Sequence, residues 1–277
     1  TNINQKNLST VIAILVAIFT TGYLRIHWIS FLPEPDSGIN AFYSQYFYSV
    51  LSRGEVIDHS LPPAIYSLIT SWVWGLEINQ YIALRWIDLC LAVTASIVFF
   101  KVIEKESGSI LFSVVSVGTL LLVMNNSSLI LYGFRNSIWA AYFPFFLALL
   151  ISQNINEKNK NLFYFIGVLA TFGVLLREPF IFFYLVGGFA ILFAYGWKIL
   201  TKYLLGSFLF GLTILFILII LRGGVSPLII LDSYAFHASG MEDLTKELLA
   251  PNFFKHGLIM IKTYWFGLVL SFISIIF

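Results

Sequence analysis

Charge is scarce in this chain. Only 11% of its 277 residues are charged, while 59% are hydrophobic and the mean hydropathy is +0.88. Soluble domains carry about a quarter charged residues, so a water-soluble globular protein is excluded and an integral membrane protein is expected. The formal net charge is +2 and the charges are dispersed, with no basic block. Nucleic acid is therefore excluded as a partner. A single cysteine, Cys90, excludes an internal disulfide framework and reads as a small residue within a helix. The four histidines are scattered and lack zinc-ligand spacing. No nucleophile elbow, phosphate-binding loop or dinucleotide fingerprint occurs. The apolar runs are continuous rather than alternating, which excludes a membrane β-barrel. No internal repeat, low-complexity segment or soluble domain is evident.

What the chain has in abundance is long apolar runs. A helical span needs about 20 apolar residues. Candidates are residues 9–31, 79–101, 109–131, 136–153, 161–176, 179–197, 199–221 and 256–277. The reading is an all-α, polytopic membrane helix bundle with about eight spans, one transmembrane domain over residues 1–277. The first run follows Lys6 and continues through Tyr23 and Trp28 without a small-residue cleavage site, so it reads as an uncleaved span. The chain stops inside an apolar run, and a further C-terminal part is expected beyond it.

Two more helices are too short to cross. Over about residues 37–53, Ile39, Phe42, Tyr43, Tyr46, Phe47, Val50 and Leu51 recur with helical spacing. Asn40, Ser44, Gln45, Ser49 and Ser52 fall off that stripe. Asp36 or Ser37 can cap its start and Gly54 can end it. Over about 61–76 the scheme repeats with Leu61, Ile65, Leu68, Ile69, Trp72, Val73 and Leu76, Pro62 lying near the first turn. Amphipathic helices rich in Tyr and Trp lie in the membrane interface.

With the N-terminus cytoplasmic, the inner segments hold Lys6, Lys101, Lys105, Lys158, Lys160, Lys198 and Lys202 and no arginine. The outer side receives the segment 32–78, the turn 126–136, the Arg177-Glu178 corner and the loop 222–255. Arg25, Arg53, Arg85, Arg135, Arg177 and Arg222 fall on or near that side. Lysine inside obeys the positive-inside rule. Arginine outside needs a reason, and pairing with acids or with a phosphate supplies one. In the outer loop, Ser239-Gly240-Met241-Glu242 reads as a capping box opening a helix to about Ala250, before Pro251.

Several residues could carry chemistry, each beside a plainer role. Asp36 is either a helix cap or a general base at the membrane surface, with Glu34 two residues earlier; it is also a candidate ligand for a divalent cation. Arg85 and Asp88 lie one turn apart near the outer end of the second span, as an ion pair or as a phosphate-binding arginine steadied by an acid. Arg177-Glu178-Pro179 forms a tight corner, either a salt bridge or a cation offered to a phosphate. Arg135 at another outer turn fits the same use, or snorkels to the interface. His59, before Pro62-Pro63, and His237, in the long outer loop, are capping residues or substrate contacts.

In chain order these features are a span, an acidic motif, and a surface helix closing with Arg53-Gly54. His59, Pro62-Pro63, a second surface helix ending in Trp74-Gly75, and a span opening with Ala83-Leu84-Arg85 follow. This order resembles the N-terminal module of the GT-C fold glycosyltransferases, membrane enzymes that use polyprenyl-phosphate sugars. It is most similar to the branch with the protein O-mannosyltransferases and the lipid A aminoarabinose transferases. The resemblance covers about residues 9–105. Many members carry Asp-Glu where this chain has Asp36-Ser37, and their His-Pro-Pro is contiguous where Ser60 and Leu61 intervene here.

The resemblance implies inverting sugar transfer from a polyprenyl-phosphate donor to a lipid, glycan or protein acceptor on the extracytoplasmic face. Asp36 would assist the acceptor, while Arg85 matches the family arginine at the start of the second span. The leaving group is a lipid phosphate, whose developing charge calls for cationic donors. No cofactor is implied with certainty beyond a candidate divalent metal. Two competing readings are a lipid-linked glycan polymerase or ligase, and a transporter or flippase. The latter predicts polar residues at mid-membrane, whereas the charges here gather toward one face.

Overall fold

A computed structural model describes residues 2–19, 35–58, 61, 64–126, 136–155, 159–177 and 180–230. The protein is all-helical, with 85% helix and no strand among the described residues. The helices are α1 (Asn2–Ala17), α2 (Pro35–Ser52), α3 (Ile65–Thr70), the 3-10 turn η1 (Ser71–Gly75), α4 (Gln80–Ser107), α5 (Ile110–Asn126), α6 (Asn136–Ser152), α7 (Leu162–Leu176), α8 (Ile181–Tyr195) and α9 (Trp197–Leu221). Those from α4 to α9 fall where the apolar runs predict helices. The expected span at 256–277 lies outside the described residues.

Among the described residues, two helices, α4 with 28 residues and α9 with 25, are long and apolar enough to cross a membrane. Five further apolar helices or helix segments run 10–17 residues. Phe182, Val186, Phe189 and Phe193 of α8 stand outward, Phe193 at 85% exposure. A helix apolar on its outer side is stable in hydrocarbon and not in water. These features associate the protein with a membrane.

The chain divides into two compact units, residues 1–57 with 64–223 and residues 58–63 with 224–277. In the first unit, one core joins Ala13 of α1, Ala92, Ala95 and Phe100 of α4, Val117 of α5, and Trp139 and Phe146 of α6. Alanines at the α4 contact let the α6 aromatics approach, and Phe99 stacks on Phe146 with centroids 4.6 Å apart. A second core joins α6, α7, α8 and α9 around Phe163, Ile166 and Tyr203. In it α7 and α9 cross backbone against backbone: a Cβ on Gly167 would stand 2.1 Å from the Tyr203 carbonyl oxygen, and one on Gly206 2.1 Å from that of Tyr164. The single proton of Ser207 Oγ is shared between Gly167 O across the crossing at 3.1 Å and Tyr203 O of its own helix at 2.9 Å. Small residues at such a contact serve association where lipid removes the hydrophobic drive. In the second unit, Ser226 opens a turn, its carbonyl accepting from the Ile229 N–H at 3.0 Å.

The first unit has two chemically distinct ends. At one, Lys101 Nζ reaches Ser9 Oγ at 2.5 Å and Glu104 at 3.0 Å. Lys105 binds the Gln153 carbonyl at 2.6 Å and the Asn154 side chain, and Lys202 binds Asn161 Oδ1 at 2.7 Å. The end of α4, the end of α6 and the starts of α7 and α9 therefore share a lysine-bearing end. At the other end, the Ile57 N–H donates to Leu221 O at 2.8 Å. Here the exit of α2, the start of α3 and the exit of α9 share a core of Phe47, Val50 and Ile57 packed against Leu68 and Leu221.

Candidate functional site

The arginine-bearing end is assembled by α2, α3, η1 and the start of α4. Asn79 caps α4, its Oδ1 accepting from the Ile82 N–H at 3.1 Å. Five residues beyond it, Leu84 packs with Ala41 of α2 and Val73 of η1. Arg85 and Asp88 lie on the same inward side of α4; Arg85 is 8% exposed and Asp88 not at all. A buried ionised group is expensive unless it is compensated, so these two mark the end where polar chemistry concentrates.

Both surface helices form, with different starts from those expected. The first begins at Pro35, placing Asp36 inside its first turn rather than at its cap. The second begins at Ile65 rather than near Leu61, and tightens into η1 from Ser71. Pro62 and Pro63 lie outside the described residues.

Their apolar stripes are divided between the interior and the outside. On α2 the buried residues are Ala41, Ser44, Phe47 and Val50, whereas Ile39 and Phe42 are more than half exposed. On α3 and η1, Ile65, Tyr66, Ser67, Thr70, Ser71 and Val73 are buried, whereas Ile69, Trp72 and Leu76 are exposed. Ser44, predicted off the apolar stripe, is fully enclosed. Small and polar residues fit between closely packed helices, and bulky apolar side chains gain most by meeting hydrocarbon outside. The exposed band continues through Ile78, Tyr81, Ile82 and Trp86 at the start of α4.

Hydrogen bonds hold the inward faces. Ser67 Oγ donates to Asn40 O at 3.0 Å, tying α3 to α2. Thr70 Oγ1 and Ser71 Oγ return to their own helix at 2.9 and 2.8 Å. Trp74 meets Tyr81 edge to face with centroids 5.5 Å apart. Tyr48 lies against Gly75, where a Cβ would come within 3.0 Å of its ring. Burial, and secondarily the charge of Asp88, holds the Tyr66 hydroxyl well above its ordinary pKa of 10.0, so it stays a neutral donor. Ser44 Oγ, Tyr66 OH and Trp74 Nε1 are enclosed and have no hydrogen-bond partner among the described residues.

The chain matches no family model, no curated protein and no solved structure.

Among the other expected site residues, Arg177 follows α7 in extended conformation. Its N–H donates to Gly173 O and its carbonyl accepts from the Phe180 N–H, each at 3.0 Å, so the expected tight corner is closed by the backbone. Glu34, His59, Arg135, Glu178 and His237 lie outside the described residues, as does the side chain of Asp36. Arg53 pairs with Glu55 at 3.3 Å and donates to Ser49 O at 3.0 Å. That exposed pair accounts for Arg53 without a phosphate and contributes little stability. Arg222, at the exit of α9, is 4% exposed. Among the described residues, no group of three or more His, Cys, Asp or Glu could hold a metal ion.

Sequence reasoning missed Ser44, Tyr66, Trp74 and the burial of Arg222. The signal was in the text: small polar residues between aromatics on an interfacial helix mark the side turned into the protein. A cleft of about 400 Å³ also opens between α7, α8 and α9, lined by Val174, Ile181, Tyr184, Leu204 and Phe208. Ser207 at its wall shares its proton between the Gly167 and Tyr203 carbonyls, so the cleft offers little to a polar group.

Proposed function

We propose that this protein is a multi-pass membrane glycosyltransferase of the GT-C type, moving a sugar from a polyprenyl-phosphate donor to an acceptor on the extracytoplasmic side. One observation carries the reading. Arg85 and Asp88 are buried near the start of a long apolar helix, and the two preceding helices each expose part of an apolar stripe, Ile39 and Phe42 on one and Ile69 and Trp72 on the other. A polar centre roofed by membrane-lying helices suits a reaction between a lipid-borne donor and a second substrate. The lysine end faces the cytoplasm, in keeping with the positive-inside rule.

In this reading the acceptor oxygen attacks the anomeric carbon opposite the lipid phosphate, and its proton passes to Asp36. The bond from that carbon to the phosphate oxygen breaks, and the prenyl phosphate leaves with the electron pair. Arg85, Arg135 and Arg177 would supply charge-assisted donors to the departing phosphate. Glu34, His59, Glu178 and His237 remain candidate contacts to substrate, and Asp36 a candidate ligand for a divalent cation. The apolar cleft beside α8 suits a segment of prenyl chain.

The deciding experiment uses the full chain in lipid nanodiscs with a prenyl-phosphate sugar and a mixture of candidate acceptors. Asp36→Asn is expected to abolish transfer while expression, insertion and thermal stability stay unchanged. Normal transfer by that variant would remove Asp36 from the mechanism.

A further inference from the structure

The wedge where α2, α3 and η1 meet the start of α4 contains three enclosed hydrogen-bonding groups that no described residue satisfies. Ser44 Oγ, Tyr66 OH and Trp74 Nε1 have no partner, and Ser44 and Tyr66 are 0% and 4% exposed. Folded proteins pair the great majority of buried polar groups, since each orphan carries a desolvation penalty. Three in one region point to an occupant.

The surrounding contacts place them together. Ser44 sits one helical turn after Ala41, which packs on Val73, and one turn before Tyr48, which packs on Gly75. Ser44 therefore faces the η1 segment that carries Trp74. Tyr66 neighbours Ser67, which is bonded to Asn40 of α2, and feels the charge of Asp88 on α4.

The chemistry of the set identifies the class of occupant. Two hydroxyls both donate and accept, an indole N–H only donates, and one acid and one arginine stand nearby with opposite charges. Ser44, Tyr66 and Trp74 themselves carry no charge, so they suit a neutral group rather than the phosphate. Balanced charge with mixed donors and acceptors suits a neutral polyol, and an indole adds an apolar face for a sugar ring.

We infer that Ser44, Tyr66 and Trp74 form a subsite for the hydroxyl groups of the sugar carried by the lipid donor, entered when α2 moves off η1. This rests on the transferase reading above and names the part of the substrate that the wedge would recognise. Opening would separate Ala41 from Val73, the Tyr48 ring from Gly75 and Ser67 from Asn40, while the Phe47 and Val50 contacts with Leu68 act as the hinge.

The test measures binding to the full chain in nanodiscs, using farnesyl phosphate and a panel of farnesyl-phosphoryl hexoses carrying glucose, galactose or mannose. At least one hexose conjugate is expected to bind more tightly than farnesyl phosphate. Tyr66→Phe and Ser44→Ala are each expected to weaken that conjugate about 3- to 10-fold, the value of one neutral hydrogen bond, and to leave farnesyl phosphate unchanged. The same variants without ligand are expected to melt at the wild-type temperature or above it, because they remove unsatisfied groups. Holding α2 against η1 with a thiol cross-linker between Ala41→Cys and Val73→Cys, in a Cys90→Ala background, is expected to erase the gain from the hexose. If farnesyl phosphate binds and no hexose improves it, or if Tyr66→Phe weakens both ligands alike, the subsite is wrong and the transferase reading stands. If neither ligand binds, the transferase reading falls and the subsite with it. A lower melting temperature for ligand-free Tyr66→Phe, with hexose binding intact, would make the tyrosine purely structural.

Discussion

Gly167→Ala should separate α7 from α9, and the size of the effect follows from the crossing. The new Cβ would lie 2.1 Å from the Tyr203 carbonyl oxygen, about 1.3 Å inside the ordinary contact distance of 3.4 Å. The obstacle is backbone, so no side chain can swing aside. The helices must part by roughly that amount, which stretches the 3.1 Å bond from Ser207 Oγ to Gly167 O beyond bonding range. Overpacking costs about 1–3 kcal/mol, and the stretched bond adds at most about 1 kcal/mol, because the Ser207 proton also reaches Tyr203 O at 2.9 Å. Against this, alanine is better than glycine in a helix by about 0.8–1 kcal/mol. The net expectation is a loss of roughly 1–3 kcal/mol.

Gly211→Ala on α9 is the internal control, because its nearest neighbour is Thr171 Cγ2 at 4.0 Å. It should be neutral or stabilising by up to about 1 kcal/mol. Equilibrium unfolding in mixed SDS–detergent micelles reads both variants. If Gly167→Ala and Gly211→Ala unfold alike, the close α7–α9 contact is refuted. Parting these helices also disturbs the exit of α9, where Leu221 accepts from Ile57, so the damage should reach the arginine end.

Gly206→Ala meets the Tyr164 carbonyl in the same way and should destabilise by a similar amount in the same unfolding assay; a neutral result would count against the crossing. Spin labels replacing Phe42 or Trp72 should be relaxed by oxygen dissolved in the bilayer, and one replacing exposed Glu55 by a water-soluble nickel chelate; the reverse pattern would show that the surface helices do not lie on lipid. Asp88→Leu, which leaves buried Arg85 beside an apolar side chain, should lower stability by about 3–5 kcal/mol, and a variant of wild-type stability would show that the carboxylate balances no buried charge. Arg53→Ala should change stability by less than about 1 kcal/mol, because its pair with Glu55 is exposed, and a larger loss in the same assay would overturn that assignment.

The helical map was largely legible in the text because it rests on short-range physics. Continuous apolar runs at 79–101 and 199–221 predict the starts of α4 and α9 within two residues, although α4 runs on to Ser107. The same local signals announced two surface helices between the first span and α4. The separation of lysine from arginine was legible too, because each loop returns the chain to one of two ends.

Which side of a surface helix turns inward was a tertiary decision. Periodicity locates an apolar stripe but cannot say whether protein or hydrocarbon covers it, since both reward the same residues. Neighbouring helices decided it: Ala41 and Ser44 fit against η1 where Ile39 and Phe42 would not. The enclosure of Asp88, Tyr66 and Trp74 likewise depends on three segments meeting. Composition and spacing determined that this is an apolar helical chain with charge at two ends. Only packing decided which polar groups were taken out of water, because burial belongs to a place in the fold and not to a residue type.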